Sequence, residues 1–113
     1  MMPRLATGVL VNALIRRAEG AGGGAMVLAK GDATAGAILL LLVERGANPR
    51  FVERGLGPDG NPALIPAGPR ELADEAEVTA YWRRRRNSDS DLWVVELDIA
   101  DGERFAAETI AAN

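Results

Sequence analysis

The sequence predicts an α+β domain in which an antiparallel sheet of four to five strands carries two helices packed on one face. Three patterns predict it: apolar residues at helical spacing near the N-terminus, an unbroken apolar run at Ile38–Val43, and period-two alternation from Leu92 to Ile99. A helix stripe and a half-buried strand each need cover, and stacking them in two layers supplies it. At 113 residues the chain fits a single domain over 1–113, long enough to bury a core without staples.

Val11, Leu14, Ile15 and Ala18 fall at i, i+3, i+4 and i+7, which sets one apolar stripe on a helix between Leu5 and Glu19. Gly20-Ala21-Gly22-Gly23-Gly24 ends that helix, because glycine adopts the left-handed conformation of a helix C-terminus and loses too much entropy to continue it. The run follows a helix where a phosphate loop precedes one, so it reads as a linker. Ala25–Lys30 is a short apolar strand, and Gly31–Gly36 is a wide turn in which Asp32 can hydrogen-bond the backbone ahead of it.

The run Ile38–Val43 is too short to cross a bilayer and has no polar alternation that would leave one face in water. Leucine also favours helix, and periodicity does not separate the two states in so short a segment. The flanking Gly36 and Gly46 and the length favour a central strand covered on both faces. The turn before it makes the first two strands antiparallel neighbours, and Arg50–Arg54 adds a third, giving a meander over 25–54.

Residues 55–69 are dense in Gly and Pro and read as a flexible or lid-like loop, interrupted at most by a short edge strand at Ala63–Ile65. Asp74 with Glu77 gives the side-chain pattern of a helix start, and the helix runs to about Asn87. Its inner face is Val78, Tyr81 and Trp82, and Arg83–Arg86 closes its last turn, where positive charge complements the helix dipole. Asp89-Ser90-Asp91 turns the chain into the final strand. There Trp93, Val95, Leu97 and Ile99 face the core, while Val94, Glu96 and Asp98 face a largely wet side. Residues 103–113 fit a terminal helix and a frayed tail equally well.

Composition removes whole classes of chemistry. Cys is absent, so there is no disulfide framework, thiolate metal site or Cys nucleophile. His is absent too, which removes the usual general base near neutral pH and the commonest metal ligand. The N-terminal stretch lacks the h-region of a secretory signal, and no segment is apolar enough to span a membrane, so a bacterial cytoplasmic protein is the simplest reading. The net charge of −3 is unevenly spread: residues 1–70 carry 8 basic and 5 acidic side chains, residues 71–113 carry 5 and 11. That balance does not suit a nucleic-acid binder.

Two stretches carry a resemblance: Lys30-Gly31-Asp32-Ala33-Thr34-Ala35-Gly36-Ala37 and Asp89-Ser90-Asp91-Leu92-Trp93-Val94-Val95-Glu96. The chain resembles the small alphaproteobacterial proteins grouped as domain of unknown function 1491. In these a Gly-Asp-x-x-Ala-Gly turn leads into an apolar strand, and an Arg-rich helix precedes Asp-Pro-Asp-Leu-Trp-Val-x-Glu. The likeness runs from the first helix to about Gly102, with Ser90 standing where the family usually has Pro. It implies fold and lineage and assigns no activity to particular residues.

The residues themselves offer few chemical candidates. Asp89, Asp91, Glu96 and Asp98 are oxygen ligands of the kind that hold Mg²⁺ or Ca²⁺, but their spacing matches no known loop, and keeping a strand face soluble is the commoner use of such charges. Arg83–Arg86 could contact phosphates, yet consecutive helical residues spread about 100° apart and make no single row. No Ser lies in a nucleophile elbow. The expectation is an interaction or binding module without catalytic residues or cofactor; the alternative is a divalent-cation-dependent enzyme or ion-binding protein built on those four carboxylates.

The last expectation concerns the central strand. Leu39, Leu41 and Val43 point away from the helix-covered face, so that row needs the 55–69 loop or another subunit over it. A two-fold homodimer is the favoured cover, with a protein partner as the other form of assembly.

Overall fold

In the computed structural model of the protein, residues 5–111 are described. Residues 1–4, the start of the stretch without a secretory h-region, and residues 112–113 of the C-terminal segment lie outside them. The chain runs α1 (Thr7–Gly20), β1 (Gly24–Ala29), β2 (Ile38–Glu44), β3 (Ala47–Leu56), β4 (Pro62–Ala67), α2 (Glu75–Ser88), β5 (Trp93–Asp98) and α3 (Gly102–Ala106), which continues as a π-helical turn over Ala107–Ala111.

The strands form one sheet in the order β1-β5-β2-β3-β4. The predicted meander holds for β2 and β3 and extends to β4, all antiparallel. It fails at β1, which is not β2's neighbour: β5 lies between them, antiparallel to β1 and parallel to β2. The sheet is therefore mixed. The physical reason is the turn between β1 and β2, which wraps around the start of β5 and leaves a strand-wide gap that β5 fills.

The alternation of β2 is real, but both sides are dry. Ile38, Leu40 and Leu42 join Leu10, Val11, Leu14 and Ala18 of α1, Val95 and Leu97 of β5, and Ala106 and Ile110 at the C-terminus. On the other side Leu39, Leu41 and Val43 join Phe51, Val78, Tyr81, Leu92 and Val94. Three helical elements thus cover both faces, where the sequence predicted two on one face. The row offered as an interface lies under α2 of the same chain, at 0%, 3% and 6% exposure, so neither the 55–69 loop nor a second subunit is needed over it. The supposedly wet side of β5 begins with Val94, fully buried under α2, because β5 is an interior strand.

Local chemistry explains most element ends. Asp74 caps α2 by accepting from the Glu77 amide at 2.9 Å, and the Glu77 carboxylate reaches back to the Ala73 amide at 2.7 Å, two donors satisfied reciprocally. The lid-like reading of 55–69 gives way to a hairpin. Asp59 accepts from the Asn61 amide and side chain in the tight turn, and β4 is paired over all six of its residues. Gly68, at φ 72°, sits so close to Tyr81 that an added Cβ would lie 2.7 Å from the ring. Beyond β5 the C-terminal segment is helical, the first of the two forms that its sequence fits.

Candidate functional site

The two stretches singled out in the sequence meet in space. Asp91 places its carbonyl oxygen inside the turn 31–36: a Cβ on Gly31 would lie 2.0 Å from it, and one on Gly36 2.2 Å away. Both glycines are there because nothing larger fits. Asp32 accepts from the amides of Thr34 and Ala35, and its own amide donates to Asp91 O at 3.0 Å. The Trp93 indole N–H donates to Asp32 O at 2.7 Å, and the Trp93 amide to Ala37 O at 2.9 Å. Helix α1 docks on the same turn. Its N-terminus has no side-chain cap; the Thr7 and Gly8 amides donate to Thr34 O and Ala33 O, and the buried Thr7 hydroxyl donates to Gly36 O at 2.7 Å. The junction locks three segments, and its polar groups are matched to one another.

The four carboxylates proposed as ion ligands are dispersed. Asp89 and Asp91 stay at the α2–β5 turn, where the Asp89 carboxylate accepts from the Asp91 amide. Asp98 lies at the other end of β5. It clamps the two-residue β2–β3 turn by accepting from the Arg45 and Gly46 amides at 2.7 and 3.1 Å, which holds Arg45 and Gly46 at φ 51° and 74°. Glu96 is half-buried between these ends. Burial first, then the carboxylates of Asp98 and Glu75, push its carboxyl above the ordinary value. Among the described residues no group of three or more potential ligands could hold a metal ion.

The arginine run is likewise divided. Arg85 turns inward and forks onto Glu53 of β3 at 2.8 and 3.0 Å while donating to the Tyr81 hydroxyl at 2.9 Å. Arg86 donates to Ser90 O, Arg83 lies over the Trp82 ring and Arg84 over the Tyr81 ring. The acid that engages the run is Glu53, on a strand far away in sequence.

An open cleft of about 720 Å³ lies at the carboxyl ends of the parallel strands β2 and β5. Of its lining carboxylates, Glu44 pairs with Arg50, Glu108 with Arg17 and Arg104, and Asp98 accepts from the turn amides.

The two sheet edges differ. In β4, Pro62 and Pro66 share the parity of Leu64. Proline has no N–H to give a ladder, so these positions turn their nitrogens outward and the edge keeps one outward donor of three. In β1 the sequence Gly-Ala-Met-Val-Leu-Ala has no proline and no charge. Met26 is 57% and Val27 39% exposed, and no backbone group outside β5 pairs with β1 among the described residues.

The family profile described as "Protein of unknown function (DUF1491)" matches residues 5–107. The chain belongs to the DUF1491 family. A DUF1491 protein from Caulobacter crescentus CB15, solved by crystallography, is 38% identical with a TM-score of 0.76, covering 90% of this chain and 94% of that one. An NMR structure of a DUF1491 family protein from the same organism gives 37% identity and a TM-score of 0.74, covering 92% of this chain and 94% of that one. Protein Atu0922 from A. tumefaciens is 31% identical with a TM-score of 0.67, covering 88% and 89%. No curated protein matches the chain. The resemblance read from the sequence is thereby established for this DUF1491 protein, as is an α+β fold.

Sequence reasoning missed the Arg85–Glu53–Tyr81 contact and the open edge of this DUF1491 protein. The second had a signal: an uncharged strand without proline is legible in the sequence, but its position at an edge depends on where β5 inserts.

Proposed function

We propose that this DUF1491 protein is a non-catalytic interaction module of the bacterial cytoplasm that takes an extended partner segment along β1. One observation carries the reading: of the two edges, β4 is guarded by proline and β1 presents an uncharged apolar strand with its outer backbone groups open. Edges of this kind template pairing with another chain, and natural proteins blunt those that are not used. The lack of His and Cys supports a role without chemistry, and the absence of a membrane-spanning helix among the described residues is compatible with it. The division of Arg83–Arg86 among separate partners supports the further expectation that nucleic acid is not bound.

Selection of seven-residue peptides against the full chain tests the reading. Extended, β-forming peptides are expected, with amide shifts confined to residues 24–29 and binding lost in Val27→Lys but kept in Leu64→Lys. Peptides that map to 62–67, or none at all, would refute it.

A further inference from the structure

A second open hollow, of about 810 Å³, lies over β3 and β4, at the sheet edge opposite β1. Pairing sets Leu40, Val52 and Pro66 side by side, and Leu64 and Pro62 follow at alternate places along β4, so all five stand on the α1 face. The buried core on this face ends at Val52; Leu64 is half-buried, and Pro62 and Pro66 are exposed. Ala107 and Arg104 form the wall on the side of the C-terminal helical segment, and Gly68-Pro69 leads the chain to Arg70 at the rim. A hollow of this volume with an apolar floor matches a small-molecule site. The prolines hold much of that floor rigid, so little conformational freedom is lost when a ligand settles on it.

The charges around the floor select the ligand. Three arginines line the hollow, Arg50, Arg70 and Arg104, against one acid among the described residues, Glu103. Both oxygens of Glu103 are already taken by Arg50, which also reaches Glu44. Arg70 is exposed and has no ion pair among the described residues. Arg104 has only Glu108, 3.5 Å away and shared with Arg17 at 3.4 Å, and exposed pairs of this kind contribute little. We infer that the hollow binds a small amphipathic monocarboxylate, its apolar body on Val52, Leu64 and the prolines and its carboxylate on Arg70 and Arg104. A carboxylate presents two oxygens that fit a guanidinium fork, and its unit charge answers the one unpaired arginine. A dianionic head would instead set its second charge beside Glu103 and Glu108. None of the lining residues belongs to β1, so this site is independent of what pairs with that edge.

Titration of the full chain with octanoate, followed by amide shifts, tests the inference beside acetate, which lacks the body, and octanol, which lacks the charge. Octanoate is expected to saturate below about 1 mM, with shifts centred on residues 50–52, 62–70 and 103–107, and the other two to bind at least about tenfold more weakly. Arg70→Glu changes an exposed side chain, so circular dichroism is expected to stay the same while octanoate binding weakens at least about tenfold. Arg84→Glu, on α2, is expected to leave it unaltered. Added salt is expected to weaken octanoate and spare octanol. Octanoate that binds no better than acetate or octanol, shifts centred elsewhere, or an Arg70→Glu chain that binds as the parent does would each overturn the inference. If octanoate fails while selected peptides still map to β1, this site is lost and the module reading stands.

Discussion

Under α1 the sheet meets Leu10, Val11, Leu14 and Ala18, four apolar side chains on one stripe, with Ala106 and Ile110 completing the seal. Under α2 it meets only Val78 and Tyr81 as fully buried helix residues. Half-buried Trp82 packs beside them, joined by a ring pair, Phe51 to Tyr81 at 4.7 Å, and the half-buried fork of Arg85 on Glu53. One face is closed by area removed from water, which is non-directional and tolerant of small shifts. The other depends on directed contacts that fail when one partner is lost. A helix with a short apolar stripe thus covers β2 through Val78, Tyr81 and Trp82, and a cation from its last turn ties it to β3.

The largest effect that tests this contrast is on the α1 side. Trp93→Ala removes a buried ring from that core and is expected to cost about 3–5 kcal/mol in urea unfolding. A loss below about 1 kcal/mol, the range of surface changes, would show that this face is not sealed as described. On the α2 side, Arg85→Ala strands the Glu53 carboxylate and is expected to cost about 1–3 kcal/mol, while Arg85→Met with Glu53→Met together cost less than the single change. Equal costs for the single and double variants would remove the directed-contact half of the comparison.

Two carboxyls sharpen it through pH. Arg50 forks onto Glu103 on the α1 side and holds its carboxyl below the ordinary value, while burial holds Glu96 above it on the α2 side. A carboxylate lowered in the fold adds stability above its unfolded value and loses it as pH falls through its folded value. A carboxyl raised in the fold subtracts stability as pH rises through the interval between the two. Glu103→Gln is therefore expected to destabilise at neutral pH and Glu96→Gln to stabilise. Both differences vanish below the glutamate range, as read by thermal unfolding from pH 3 to 7. The smallest effect belongs to Arg17, exposed beside Glu108 at 3.4 Å: Arg17→Ala is expected to cost under about 1 kcal/mol, less still in high salt.

What was legible in the sequence follows the range of the interactions. The first helix, the central strand, the Asp74–Glu77 cap and the alternation of β5 are written in neighbouring residues, and they appear where spacing puts them. Of β4 only the middle, Ala63–Ile65, was legible as a short edge strand, because Gly and Pro in 55–61 mark a tight hairpin and a long loop alike. Strand order was illegible. Gly31 and Gly36 could be read as turn residues, but not as the seat for the Asp91 carbonyl that brings β5 between β1 and β2. Of the candidate sites, Asp98 carried a role other than the one suggested, as the clamp of the Arg45-Gly46 turn. Glu53 had no local pattern to mark it, since its partner is 32 residues away.

The insertion of β5 also has a consequence for synthesis. A ribosome that has reached residue 88 has made four of the five strands, and β2, β3 and β4 can already pair. Strand β1 cannot: its one strand neighbour among the described residues is β5, still to be translated. Closing so long a loop is slow compared with zipping a hairpin, and an uncharged strand waits in the open meanwhile. The last strand made is the one that first gives β1 a place, so the nascent chain passes through a stage in which an uncharged strand has no partner in the sheet.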